Sequence, residues 1–264
     1  MPRPPRIHVA GALYHTIARG NGGQKTFLDE KDYQAFVDGL GELKRTTPFS
    51  VYAYCLMPNH FHLLIEPQRF PLSVIMQRLL TRYVRSFNFR HRRIGHLFQG
   101  RYKAILCQRD AYLQELLRYI HLNPVRAKLA KDVSAWKWSS HGEYVGRVKS
   151  DLTDKGFPLS LFHKDVGTSR RLYERFVSDG IEMGHNERFY PSLSTPCLGR
   201  EPFVEDYREQ RDGKDLGARG KCRVDSVGAA RQGGEGQPAI GDTAFADAGA
   251  KSDCGAPGVR CEGR

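Results

Sequence analysis

Two strand-like segments joined by a very short connection constrain the fold of this chain more than any other feature of its sequence. Val51 to Met57 and His60 to Glu66 consist mostly of aromatic and other apolar residues. Only Pro58-Asn59 separates them, and such a dipeptide is typical of tight turns. Because so short a connection joins antiparallel strands, the sequence predicts an antiparallel sheet.

The segments on either side of this strand pair alternate between strand and helix patterns. Apolar residues recur at strand or helix spacing, and turn or capping residues separate the segments. The predicted elements are a strand over residues 14–19, a helix from its N-cap at Asp29 to about Arg45, a helix from about Leu72 to Phe87, a strand over Arg101 to Gln108, and a helix that Asp110 caps and that stops at Asn123-Pro124. The last helix is expected to stop there because the residue before a proline is biased away from helical conformation.

The resulting order of elements is β-α-β-β-α-β-α, which indicates an α+β protein. Its first six elements match the ferredoxin-like split βαβ arrangement, an antiparallel sheet with two helices on one face. The other face is left for a ligand or for the additional helix, which carries Tyr119.

Beyond residue 146 the pattern becomes less regular. We predict a basic domain over residues 1–146 and a partly helical C-terminal extension over 147–211, with helices around Arg170 to Ile181 and Pro202 to Arg211. Residues 212–264 contain a single aromatic residue, Phe245, among many glycine, alanine and charged residues. Such a composition buries too little surface to offset the entropy of ordering, so we expect a disordered tail.

The positive charge of the chain is concentrated in its first part. The formal net charge is +12 at pH 7, and residues 1–146 hold 22 Lys and Arg against 10 Asp and Glu, while residues 147–264 hold 19 of each kind. Residues 67–109 hold ten Lys or Arg and no acidic residue. This pattern favours a face that binds a polyanion such as DNA over a merely solvated helix face, which normally mixes charges. The candidate DNA-binding residues are Arg78, Arg82, Arg85, Arg92, Arg93, Arg101 and Lys103.

Several classes of protein are excluded by composition. No stretch approaches 18 consecutive apolar residues, so we expect no membrane-spanning helix, and the basic N-terminus lacks the apolar core of a secretory signal. Six cysteines are scattered without a CxxC pair, which indicates neither a disulfide framework nor a zinc ribbon. A cytoplasmic location is the expectation.

His60-Phe61-His62 is the first candidate site. Residues two apart in a strand point to the same face, so both imidazoles project together, while Phe61, Leu63 and Ile65 project to the other face toward the helices. The pair can bind a metal ion at two points. It can equally be two histidines that share an exposed strand by chance, and the residues alone leave both interpretations open.

Tyr119 and Asn123 form the second candidate site. Their spacing of four places the phenol and the amide on one helix face, where the amide oxygen of Asn123 can join a metal shell. A tyrosine on an amphipathic helix usually packs at the edge of the core, and asparagine before proline is an ordinary helix stop. The residues alone favour this structural interpretation.

Five motifs, in order across about residues 8–146, resemble a known family. They are Tyr14-His15-x-x-x-Arg19-Gly20-Asn21, Met57-Pro58-Asn59-His60-Phe61-His62-Leu63-Leu64, Gly95-His96-Leu97-Phe98-Gln99-Gly100-Arg101-Tyr102, Tyr119-Ile120-His121-Leu122-Asn123-Pro124-Val125-Arg126-Ala127 and Trp138-Ser139-Ser140. Together they resemble the bacterial single-tyrosine transposases of the HUH class, including insertion-sequence transposases and the REP-associated tyrosine transposases. Two later motifs around Tyr173 and Phe203 resemble the C-terminal extension of longer relatives.

The resemblance implies a function and roles for particular residues. His60 and His62 would be ligands of Mg²⁺ or Mn²⁺, Tyr119 the nucleophile, and Asn123 would occupy the position of a third metal ligand, which is often glutamine in the class. The implied enzyme cleaves and rejoins single-stranded or hairpin DNA through a 5′-phosphotyrosine, associates with the nucleoid when bound to DNA, and has a homodimer as a candidate assembly. The alternatives are a non-catalytic protein that binds DNA hairpins and a metal-dependent phosphohydrolase.

Overall fold

Residues 11–183 and 197–211 are described by the computed structural model. They form, in chain order, β1 (Leu13–Arg19), α1 (Glu30–Thr46), β2 (Phe49–Met57), β3 (His60–Pro67), α2 (Leu72–Arg90), β4 (Lys103–Cys107), α3 (Arg109–Arg126), α4 (His141–Tyr144), α5 (Gly156–Ser160), α6 (Val166–Asp179), β5 (Cys197–Leu198) and α7 (Glu201–Arg211). None of the helices in these two ranges is long and apolar enough to cross a membrane.

The strands form one sheet in the order β2-β3-β1-β4-β5. The first four strands are antiparallel to their neighbours, and β3 lies between β1 and β2, which confirms the predicted ferredoxin-like arrangement. The short strand β5, from the C-terminal extension, pairs in parallel with β4. The sequence pattern does not predict β5.

The two faces of the sheet carry different helices. Helices α1 and α2 pack on one face in a core that includes Phe36, Leu63 and Ile75. Helix α3 packs on the other face in a second core that includes Leu64 and Leu116. Phe61, Leu63 and Ile65 of β3 face α1 and α2 as predicted, so the histidines that alternate with them face α3.

The start of α1 agrees with the predicted N-cap. The Asp29 carboxylate accepts a hydrogen bond from the backbone N–H of Asp32 at 3.1 Å, and the Asp32 carboxylate accepts one from the N–H of Asp29 at 3.4 Å. This reciprocal capping box occupies two donors that the first helical turn otherwise leaves without a partner.

Both predicted ends of α3 were wrong. Gln108 is the N-cap and Asp110 lies within the first turn, while Pro124 lies inside the helix, which continues to Arg126. Pro124 has no N–H to donate to the carbonyl of Ile120 four residues earlier. The side-chain amide of Asn123 donates to that carbonyl instead, at 3.3 Å. This replacement contact explains how the helix continues past the proline.

The described part of the extension packs into the same two cores. Tyr173 and Val177 of α6 join the core beneath α3, while Leu152 and Tyr207 join the core of α1 and α2. The helices expected around Arg170 to Ile181 and Pro202 to Arg211 correspond to α6 and α7. The division at residue 146 stays a prediction, and the predicted disordered tail lies outside the described residues.

Candidate active site

Three histidines from two neighbouring strands lie close together on the face of the sheet that α3 covers. In the pairing of β1 with β3, Ile17 lies opposite His62 and Arg19 lies opposite His60. His15 precedes Ile17 by two residues and therefore shares its face. Nε2 of His15 lies 2.9 Å from Nδ1 of His62, and the two rings stack with centroids 5.1 Å apart. The ring of His60 meets that of His62 edge-on at 5.0 Å.

Helix α3 brings Tyr119 onto this cluster. The centroid of its ring lies 6.2 Å from that of His62 and 6.0 Å from that of His15, both in edge-to-face geometry. The structure thus unites two of the predicted site elements, the His60-Phe61-His62 pair and Tyr119, although they are far apart in sequence. Only 1% of the Tyr119 side chain is exposed to solvent.

The histidines of the cluster are neutral near pH 7. Burial lowers the pKa of His15 to about 3. Burial and, secondarily, the positive charge of Arg19 lower the pKa of His60 to about 4. Burial holds the pKa of His62 well below its usual value, with further contributions from His15 and His60. A neutral imidazole keeps a lone pair on one nitrogen, which metal binding requires.

The hydrogen bonds of His60 and His62 determine which nitrogens can bind a metal ion. Nδ1 of His60 lies 2.7 Å from the side-chain oxygen of Asn59, which can only accept, so Nδ1 carries the proton and Nε2 the lone pair. Nδ1 of His62 lies 2.9 Å from Nε2 of His15, so Nε2 of His62 carries the lone pair when Nδ1 donates this bond. Metal-binding histidines commonly use their second ring nitrogen in this way. The two imidazoles therefore fit a divalent cation.

The protein supplies few further ligands. Within residues 11–183 and 197–211 there is no group of three or more His, Cys, Asp or Glu able to hold a metal ion. A hard cation such as Mg²⁺ prefers oxygen ligands and usually retains water. An ion bound at His60 and His62 would therefore take oxygens from water and from a phosphate substrate.

Asn123, the predicted third ligand, is 9% exposed and directs its amide nitrogen at its own helix. That nitrogen donates to the carbonyl oxygens of Tyr119 at 2.9 Å and Ile120 at 3.3 Å. Only its oxygen could therefore serve as a ligand. The assignment of Asn123 as a metal ligand stays a prediction.

Two residues near the cluster were missed as site residues by the sequence analysis. The Arg126 guanidinium carbon lies 5.5 Å from the centroid of the Tyr119 ring. Their spacing of seven residues places them on one helix face, but the expected stop at Pro124 hid this relation. His15 was part of a recognised motif, and its two-residue spacing from the apolar Ile17 indicated its face. That His62 is the partner of His15 follows only from strand pairing.

The seven predicted DNA-binding residues do not form one surface. Arg78, Arg82 and Arg85 belong to α2, on the face of the sheet opposite Tyr119, where Arg78 donates to Thr47 at 3.2 Å and Arg82 pairs with Glu42. The other four, Arg92, Arg93, Arg101 and Lys103, follow α2 in sequence.

Lys103 belongs to the face that carries the histidines. It lies opposite Ile17 in the pairing of β1 with β4, and Ile17 in turn lies opposite His62. Residues directly opposite each other in an antiparallel pair share a face. The exposed Lys103 ammonium is thus on the same side of the sheet as the histidine cluster.

A tyrosine on a helix packed against histidines of a split βαβ sheet agrees with the motifs that resemble the single-tyrosine transposases. Residues 8–123 match the family model described as IS200-like transposase, which confirms the resemblance carried by the motifs.

Individual proteins similar to this chain are also described as transposases. A putative REP-associated tyrosine transposase of Haemophilus influenzae is 31% identical over 104 residues, which cover 35% of this chain and 59% of the relative. The chain thus spans about three fifths of that relative's length. A solved structure of a REP-associated tyrosine transposase bound to a REP hairpin is 20% identical, with a TM-score of 0.49, and the match covers 58% of this chain and 94% of that one. A putative transposase from Deinococcus radiodurans is 19% identical, with a TM-score of 0.33, and covers 44% and 93%.

Proposed function

We propose that this chain is a DNA transposase that cleaves and rejoins single-stranded or hairpin DNA through a 5′-phosphotyrosine on Tyr119. The observation that carries the proposal is the packing of Tyr119 against His62 and His15, within a segment that matches the IS200-like transposases. The phenol lies next to His62, one of the two neutral imidazoles that fit a divalent cation, and is suited to attack on a phosphodiester.

The proposed reaction is an exchange of phosphate esters. The Tyr119 oxygen forms a bond to the phosphorus atom, and the bond from phosphorus to the 3′ oxygen breaks. The phenol loses its proton, the departing 3′ oxygen gains one, and the 5′ phosphate remains on Tyr119. A 3′-hydroxyl from another end reverses the step and joins new DNA. Because one phosphodiester replaces another, no nucleotide cofactor is needed.

The residues around Tyr119 have separate roles in this proposal. His60 and His62 would hold Mg²⁺ or Mn²⁺, and His15 would position the His62 ring through its hydrogen bond. A bound divalent cation supplies polarisation of a phosphate oxygen. The positive charge of Arg126 beside the Tyr119 ring favours an approaching phosphate.

Burial of Tyr119 adds a requirement for access. With 1% of its side chain exposed, the phenol meets a DNA phosphate only after the surface that covers it opens. We infer that DNA binding precedes and promotes this opening, as in other enzymes whose sites close around the reacting groups.

In this proposal, the basic residues on the two faces of the sheet contact different parts of the DNA. Lys103, on the face that carries the histidines, would contact phosphates near the cleaved bond. Arg78, Arg82 and Arg85 would contact a part of the DNA that passes the opposite face. The candidate homodimer stays a prediction.

The decisive experiment is a denaturing gel of a labelled DNA hairpin incubated with the full chain and Mn²⁺. The wild type should form a covalent protein–DNA adduct, and Tyr119→Phe should abolish it while hairpin affinity changes by less than about twofold. Tyr112→Phe, on the same helix and equally within its core, serves as the matched control and should retain the adduct. An adduct that survives Tyr119→Phe would contradict the proposal.

The second candidate function is a non-catalytic protein that binds DNA hairpins. The burial of Tyr119 and the use of the Asn123 amide nitrogen within α3 favour it. Hairpin binding without any adduct or nick, over varied sequences with Mg²⁺ and Mn²⁺, would establish this function instead. Repeated cleavage without an adduct would indicate a phosphohydrolase.

A further inference from the structure

The segment that follows α2 presents two large apolar side chains to solvent. Phe89 is 90% exposed and Ile94 is 100% exposed, and no other large apolar side chain described in the structure is as exposed as either of them. We refer to residues 88–96 as the tip. Apolar side chains held in water in this way commonly mark a binding surface.

The tip is held in one conformation by its own hydrogen bonds. The Asn88 side chain donates to the carbonyl of Gly95 at 3.1 Å, and the backbone N–H of Arg93 donates to the carbonyl of Asn88 at 2.9 Å. Arg92 has a φ of 50° and Gly95 a φ of 96°, both in the left-handed region. This conformation is unfavourable for arginine, so the chain accepts strain in a turn that keeps its apolar side chains outward.

The tip is also tied to the end of the sheet where His60 lies. Within the tip, Arg93 donates to the Gln24 side chain at 2.6 Å, and three residues after the tip the N–H of Gln99 donates to the carbonyl of Arg19 at 2.8 Å. Arg19 lies opposite His60 in the pairing of β1 with β3. The tip therefore borders the histidine end of the candidate active site.

The positive charge around the tip favours an anionic partner. Arg85 lies one helical turn before Phe89, and Arg85, Arg92 and His96 are exposed. Two acidic residues, Asp29 and Asp32, lie near the end of α2. Arg90 pairs with both of them, and His91 contacts Asp32. The exposed part of the tip is thus cationic around an apolar centre. Single-stranded DNA matches this combination because its phosphates are anionic and its unpaired bases have flat apolar faces.

We propose that Phe89 and Ile94 contact unpaired bases of the DNA substrate, either by stacking or by wedging at the junction between a hairpin stem and its single strand. The inference rests on the proposed action on DNA and adds to it the element that recognises unpaired bases. Apolar side chains inserted between bases and aromatic side chains stacked on them are both established ways of binding DNA.

The test compares Phe89→Ser/Ile94→Ser with Val166→Ser, which changes an exposed apolar residue of α6. All chains carry Tyr119→Phe so that cleavage does not interfere. Affinity is measured by fluorescence anisotropy for a hairpin with a single-stranded flank and for a blunt duplex of equal length, with 2-aminopurine at the unpaired positions. The double variant should bind the flanked hairpin about tenfold or more weakly, with little change for the duplex and loss of the 2-aminopurine response. Val166→Ser should match the parent chain.

Three outcomes would overturn the proposal. One is unchanged affinity for the flanked hairpin, and another is an equal loss for hairpin and duplex. The third is that the double variant loses binding to vesicles containing phosphatidylglycerol while its DNA binding is unchanged, which would assign the tip to a membrane surface. Adduct formation by the chain with Tyr119 intact is scored separately, so failure of the cleavage proposal is distinguishable from failure at the tip.

Discussion

His15 and His62, which lie 47 residues apart in sequence, share a 2.9 Å hydrogen bond between Nε2 of His15 and Nδ1 of His62. The His62 ring also packs against the ring of Tyr119, with centroids 6.2 Å apart. A residue outside the predicted ligand set thus contacts a predicted ligand directly.

Replacing His15 should weaken metal binding without removing a ligand. Loss of such a supporting hydrogen bond typically lowers metal affinity by about 10- to 100-fold. We expect His15→Ala to shift the Mn²⁺ dependence of adduct formation to higher concentration by that factor, and His15→Gln, which restores a hydrogen-bonding group, to recover part of it. Direct titration of Mn²⁺ by calorimetry measures the same change without DNA cleavage.

His163→Ala is the control for this experiment because His163 contacts Asp165 far along the chain from the cluster. It should leave Mn²⁺ affinity unchanged. The assignment of His15 as a positioning residue would be rejected if His15→Ala bound Mn²⁺ as tightly as the wild type.

Lys103 and Arg82 should respond differently to the length of the DNA. For a short single-stranded oligonucleotide, Lys103→Ala should lower the slope of log affinity against log salt by about 1, the value for one lost phosphate contact. Arg82→Ala should lower the slope only for a longer hairpin that reaches α2. Salt titrations of both variants on both DNAs provide the measurement, and an equal effect of Arg82→Ala on the short strand would refute the division into two faces.

Tyr173 links α6 to α3 through a buried hydrogen bond with Nδ1 of His121, whose Nε2 lies 2.7 Å from the Ser140 hydroxyl. Tyr173→Phe leaves a buried imidazole nitrogen without its partner, which costs about 1–3 kcal/mol. We expect the free energy of unfolding in urea to fall by that amount. Ser178→Ala removes an exposed hydroxyl hydrogen bond from the same helix and should change it by less than about 0.5 kcal/mol. Equal effects of the two variants would show that the buried bond adds no stability.

The stability of the folded chain should decrease as the pH falls below about 6.5. Burial lowers the pKa of five histidines, His15, His60, His62, His121 and His141, below the usual value of 6.5. In the unfolded chain each would bind a proton near pH 6.5, whereas in the folded chain each stays neutral to lower pH. The unfolded state thus binds more protons, and each such histidine removes up to about 1.4 kcal/mol of stability per pH unit.

Urea unfolding at several pH values between 7.5 and 4.5 measures this dependence. The loss should begin near the pKa of an unfolded histidine and continue toward pH 4, near the folded values for His60 and His141. An unfolding free energy that stays constant from pH 7 to pH 5 would contradict the burial of these neutral imidazoles.

Much of the fold was predictable because its signals are local. The Pro58-Asn59 turn, the Asp29 cap and the apolar spacing of α1 and α2 all act within a few residues, and the structure confirms each of them. The end of α3 was not predictable by the same reasoning, because the bias against helix before a proline is weak. The side-chain amide of Asn123 donates to the carbonyls of Tyr119 and Ile120 where the helix continues past the proline.

The candidate site, like the fold, was predictable only in part. Alternation along β3 placed His60 and His62 on one face, and the motif around Tyr119 indicated a chemical role for the tyrosine. That Tyr119 approaches His62, that His15 is the partner of His62, and that α2 and α3 cover opposite faces follow only from strand pairing and helix packing. The sequence by itself determined the local helices and strands, because these depend on residues close together in the chain. It also identified the histidines and the tyrosine as the side chains suited to phosphate chemistry. The tertiary structure decided which of them meet, because those contacts join segments that are far apart along the chain.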